Sequence, residues 1–130
     1  MKYWLFLGAF NGLLAVAAGA YGWHGLEATS GGREMFKMGA DYHLGHALVL
    51  FVIAWLSTCT QGAAAILVRI AGGAFIAGII LFCGALYTIG LFGYQPIPGT
   101  APAGGFSLMM GWGALMIVAI KLPRNNQRNV

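Results

Sequence analysis

Charged residues punctuate this chain so sparsely that the runs between them decide its architecture. Tyr3 to Gly22 is twenty residues without a charge. As a helix rising about 1.5 Å per residue, such a run covers the roughly 30 Å hydrocarbon core of a bilayer. Residues 42–59, 70–94 and 104–120 repeat the pattern and predict three further spans. Between the first two lies a polar stretch, 24–41, with Glu27, Arg33, Glu34 and Lys37 among small residues. Its second half sets Met35, Phe36 and Met38 beside those charges, which fits either a short interfacial helix or an early extension of the second span. Thr29 or Ser30 is placed to cap it. Arg69 is expected to mark the short turn between spans two and three. Pro96, Pro98 and Pro102 make 95–103 a stiff external connection, because proline has no N–H for a helix interior. Ala18-Gly19-Ala20 resembles a signal-peptide cleavage site, but the apolar stretch around it is longer than a secretory h-region of about 7–15 residues. The tail, 121–130, is polar and basic and is expected to lack order.

These runs predict a single all-α domain over residues 1–130, an integral membrane four-helix bundle. Composition agrees: 59% of residues are hydrophobic and 8% charged, against about 45–50% and 25% in soluble domains. The mean hydropathy is +0.77, and there is too little polar surface to coat a soluble fold. The net charge of +4 does not point to nucleic acid, because the basic residues stand at the ends of apolar runs rather than along one face. With four spans, Lys2, Arg69, Lys121, Arg124 and Arg128 share one side. An excess of basic residues marks the cytoplasmic face, so both termini are expected there, in a multi-pass protein of the cell inner membrane. All three acids and all three histidines then collect at the opposite, outward side.

Small residues predict close helix packing. Gly8 and Gly12 form a GxxxG, Ala15 and Gly19 continue its face, and Gly84 belongs to a glycine-rich third span. Asn11 sits near mid-membrane and must hydrogen-bond to another helix or to water. Trp112, in the middle of span four, reads as a packing residue. Gly8-Ala9-Phe10 recurs sixty-five residues later as Gly73-Ala74-Phe75, which fits two parallel-related helical hairpins.

The candidate chemistry centres on Asp41-Tyr42-His43-Leu44-Gly45-His46. Tyr42 and His46 lie one turn apart, and His43 and His46 are i, i+3 neighbours on a helix. His24 and Tyr87, and also Tyr94, are expected to reach the same outward layer. Neutral imidazoles there, with Asp41 to orient them, suit a metal or haem, with His24, His43 and His46 as ligands, or a quinone or lipid. The same groups suit a proton path or small transporter. Equally, they suit side chains bonded to neighbouring helix ends, holding the bundle together. No nucleophile–base pair, phosphate loop or pair of carboxylates at catalytic spacing stands out, so no enzyme is expected.

Gly19-Ala20-Tyr21-Gly22-Trp23-His24, Tyr42 with His46, Leu81-Phe82-Cys83-Gly84-Ala85-Leu86-Tyr87, Pro102-Ala103-Gly104-Gly105 and Gly111-Trp112 follow one another over nearly the whole chain. In order and spacing they resemble the YgdD-like family of small four-helix membrane proteins, a domain-of-unknown-function family. The resemblance implies an integral inner-membrane protein and supports His24, Tyr42, His46, Tyr87 and Trp112. It departs at His43, where the family usually has glutamine, and at Ala101, where threonine usually precedes the proline. His43 therefore reads as an individual variation, and the bet within the layer falls on Tyr42 and His46. The expected function is that of an accessory or assembly component in the bilayer, packing against itself or a larger membrane complex.

Overall fold

The computed structural model describes residues 1–27 and 31–122. Four helices follow one another: α1 (Lys2–His24), α2 (Gly31–Cys59), α3 (Gly62–Phe92) and α4 (Thr100–Lys121). Each is long and apolar enough to cross a membrane. Large apolar side chains such as Phe6, Ile80, Phe106, Met116 and Ile120 point outward, as a surface solvated by lipid requires.

Beyond residues 100–103, expected in the external connection but forming the first turn of α4, where Pro102 needs no N–H, two boundaries differ from the sequence expectation. Residues 31–41, placed before the second span with a short interfacial helix or an early extension of that span as the alternatives for their second half, are the early extension, because α2 starts at Gly31. The cause is burial: Phe36, Gly39, Ala40, His43 and Ala47 follow a helical period and are all buried. Gly32 lies so close to the Gly90 carbonyl that a β-carbon there would collide with it. At about 43 Å, α2 outruns the hydrocarbon core, so its first turns carry Arg33, Glu34 and Lys37 beyond it. Arg33 reaches back to the end of α1, donating to the Trp23 carbonyl at 2.8 Å with its guanidinium 4.5 Å from the Trp23 ring. The second difference lies at Arg69, which is inside α3. The reversal occurs at Thr60–Gln61, where Gly62 adopts φ +57°, and no breaker separates Ala63 from Arg69. Thr29, Ser30 and residues 123–130, expected as a cap and a tail, lie outside the described residues.

The core forms where α2, α3 and α4 meet, around Leu50, Ile53, Val68, Phe75 and Val118. α1 runs along α2, and α3 along α4. Close approach depends on glycine: Gly104 lies against the Phe82 backbone and Gly78 against Leu108. Midway, α3 widens into a π-turn over Ile79–Cys83, where the Gly84 N–H reaches back to the Ile79 carbonyl.

Candidate functional site: a polar layer at mid-depth

An amide inside an apolar helix must find partners, because lipid supplies none. Asn11 finds two. Its Nδ2 donates to the Leu7 carbonyl at 2.8 Å, which turns Oδ1 toward α2, where His43 Nε2 lies at 3.0 Å. An oxygen facing Nε2 requires the proton to be on that nitrogen. His43 Nδ1 is then an acceptor, and it takes the Tyr87 hydroxyl at 3.0 Å. The result is one directed chain, Tyr87 to His43 to Asn11 to Leu7, that ties α3, α2 and α1 together around a neutral imidazole.

His46, one turn further along α2, is held in the other tautomer. Its Nδ1 donates to the Tyr42 carbonyl at 2.7 Å, and its Nε2 accepts the Trp112 indole N–H at 3.3 Å. Phase along the helix decides the partners: His43 turns toward α1, His46 toward α4. Rings complete the seat, with Tyr42, Phe75 and Trp112 at centroid distances of 6.0, 5.7 and 6.1 Å from His46. Every buried polar side-chain atom among the described residues has a partner.

This layer is deeper and differently composed than the sequence suggested. Asn11 lies nine residues into α1, about 14 Å from Lys2 and so near the bilayer centre. His24 is not part of it. It is the exposed last residue of α1, about 20 Å further along the axis, where a basic side chain suits the helix C-terminus. Asp41 and Tyr94 are also exposed. Tyr42 contributes its carbonyl and a half-exposed ring, Tyr87 its hydroxyl. Trp112 is half-exposed on the rim rather than packed inside, joining α4 to His46.

Of the residues expected to pack, Gly8 does so, against Ala47, Leu50 and Phe51 of α2. Asn11 packs within the bundle and hydrogen-bonds to another helix, as its mid-membrane position requires. At Gly12, Gly19 and Gly84 a β-carbon would meet nothing within 4 Å. Gly73 is equally open although its repeat counterpart Gly8 is packed, so the two copies of the motif are not used alike. Other glycines do the close packing: Gly72, Gly78 and Gly90 of the glycine-rich third span, against Trp4, Leu108 and Phe36, with Gly111 under Phe75 and Gly22 under Phe36.

The arrangement leaves little for inorganic chemistry. Neither intramembrane imidazole offers a free nitrogen lone pair, and among the described residues no group of three His, Cys, Asp or Glu side chains could hold a metal ion. No carboxylate belongs to either hydrogen-bonded set.

Four apolar helices around a mid-membrane polar layer define a small multi-pass membrane protein. The family described as a protein of unknown function (DUF423) matches residues 18–105. The chain belongs to that family. It is 37% identical to the UPF0382 membrane protein YwdK of Bacillus subtilis over 93% of this chain and 98% of the relative. It is 35% identical to the UPF0382 membrane protein SERP0230 of Staphylococcus epidermidis, over the same shares. To the UPF0382 inner membrane protein YgdD of Escherichia coli it is 31% identical, over 95% of this chain and 93% of the relative. No solved structure matches the chain significantly. The protein is thus an integral membrane protein in contact with the lipid bilayer, and relatives of this kind place it in the cell inner membrane.

Proposed function

We propose that the chain is a non-catalytic accessory component of the membrane, one that assembles with itself or with a larger membrane complex. One observation carries this reading: both intramembrane histidines spend both ring nitrogens on bonds inside the fold. Residues placed for chemistry act here as ties between helices, which makes the bundle a stiff object for a partner to pack against. The open glycines Gly12 and Gly19 on α1 supply a face where a helix of another chain approaches closely. Met1, Arg69 and Lys121 lie at the same end as the α2–α3 turn, which supports cytoplasmic termini. A metal or haem site would have to break one of these ties, and the Asn11 chain ends at a backbone carbonyl rather than at a proton acceptor that could pass a proton on.

The test is the mass of the particle in mild detergent. A homo-oligomer, or a stoichiometric co-purifying membrane protein, is expected, and Gly12→Cys or Gly19→Cys should cross-link to it. A strictly monomeric particle with no associated protein would overturn the proposal.

A further inference from the structure

A cleft of about 330 Å³ separates α1 from α3. Leu7, Phe10 and Leu14 form one wall, Ile76, Ile79 and Ile80 the other, and Asn11, His43 and Tyr87 the floor. Phe10, Leu14 and Ile80 are exposed, so the cleft opens sideways toward lipid. The geometry follows from the packing: α1 lies along α2, α3 lies along α4, and α2 supplies the ground between them.

The floor retains hydrogen-bonding capacity. Asn11 has used one amide hydrogen and one side-chain oxygen lone pair, leaving one of each, and the Tyr87 oxygen still accepts after donating its proton. The central His43–Asn11 bond is buried, whereas those at the two ends of the chain are only partly covered. No charged side chain lines the cleft. An ionic headgroup would therefore be desolvated without a counter-charge, at prohibitive cost. A purely apolar occupant would leave the spare donor and acceptors unused. The volume falls within the roughly 300–1,000 Å³ of small-molecule sites and suits one ring or part of one chain.

We propose that this cleft binds an uncharged amphiphile, its carbonyl or hydroxyl oxygen accepting from the Asn11 amide, a hydroxyl also donating to the Tyr87 oxygen, and its ring or chain lying between Phe10 and Ile80. Quinones and monoacylglycerols both carry that chemistry. The proposal goes beyond the accessory role and does not depend on it.

Calorimetric titration of the full chain in nanodiscs tests it, using a short-tailed benzoquinone, a monoacylglycerol and an alkane of matched length. Saturable one-to-one binding of either oxygen-bearing probe, but not of the alkane, is expected, and the probe that binds identifies the source. Asn11→Leu should weaken that binding about tenfold, as loss of one hydrogen bond of roughly 1.4 kcal/mol implies. Ile80→Trp should abolish it by filling the mouth while leaving the unfolding midpoint unchanged, because Ile80 is exposed and outside the polar chain. The Ile80 variant keeps the test decisive if Asn11→Leu destabilises the bundle. Failure of both probes to saturate, equal binding of the alkane, or unaltered binding by Ile80→Trp would overturn it, whatever the particle mass proves to be.

Discussion

His43 and His46 stand three residues apart on one helix, yet they do different work. His43 is a through-connection, receiving from α3 and donating to α1, so three helices depend on one ring. His46 is anchored first to its own helix and then offers its remaining nitrogen to a half-exposed tryptophan on α4. The difference shows that burial alone does not rank polar residues in a membrane. What ranks them is how many separate elements lose a partner when the residue is removed.

The comparison can be broken most forcefully at His43. His43→Leu leaves the Asn11 oxygen and the Tyr87 hydroxyl without their partner, and each such group costs about 1–3 kcal/mol, so a loss of about 3 kcal/mol is expected. Thermal unfolding of the detergent-solubilised protein measures it, and an unchanged midpoint would rule the through-connection out. Next in size is the coupling: a double-mutant cycle of His43→Leu with Asn11→Leu should show an interaction energy of about 1–2 kcal/mol, as for residues in one network. The matching cycle with Trp112→Phe should be additive to within about 0.5 kcal/mol, because that tie belongs to the other ring.

A smaller effect is expected at His46. His46→Leu keeps most of the ring's volume and orphans an indole N–H that stands at the rim, costing about 1 kcal/mol in line with intramembrane hydrogen bonds averaging roughly 0.6 kcal/mol. The change should be accompanied by a shift in Trp112 fluorescence, best resolved in a background where the other tryptophans are phenylalanine. The smallest effect sharpens the comparison most: His43→Gln should cost less than about 0.5 kcal/mol, since a carboxamide also offers one acceptor and one donor. On this geometry a glutamine at this position would serve the same two partners. A His43→Gln protein as unstable as His43→Leu would show that ring shape, rather than bonding, holds the site.

The spans were legible because run length and charge placement are nearly one-dimensional properties. Asn11 was legible as a group in need of a partner. Which partner it takes was not, for a traceable reason. Pairing in a helical hairpin is counted outward from the connection, and a second helix starting at 42 rather than 31 places Asn11 level with residues near Ile53 instead of His43. The charges at Arg33, Glu34 and Lys37 leave that earlier start as one of two alternatives, although Phe36, Gly39 and His43 already carry the helical period. The resemblance likewise makes His43 read as an individual variation, although a histidine offers the same donor and acceptor that a glutamine would. For His24 the chain order misled in the opposite direction, since adjacency to the second helix in sequence put it at the far end of an antiparallel pair. Open glycines such as Gly12 and buried ones such as Gly104 cannot be told apart without rotational phase, which periodicity blurs in a helix apolar all round.

The π-turn at Ile79–Cys83 has a consequence for where this chain tolerates a change of length. Phe75 seats against His46 and Tyr87 against His43, twelve positions apart on α3. On an uninterrupted α-helix, at about 100° per residue, the two would point roughly 120° apart. The wide turn absorbs one residue and brings them onto a common side. Deleting Ile80 or Leu81 would leave the two aromatic seats eleven positions apart on a regular ladder, about 20° from alignment. The third helix therefore carries a built-in slack of one residue, and that slack lies midway between its two anchoring rings.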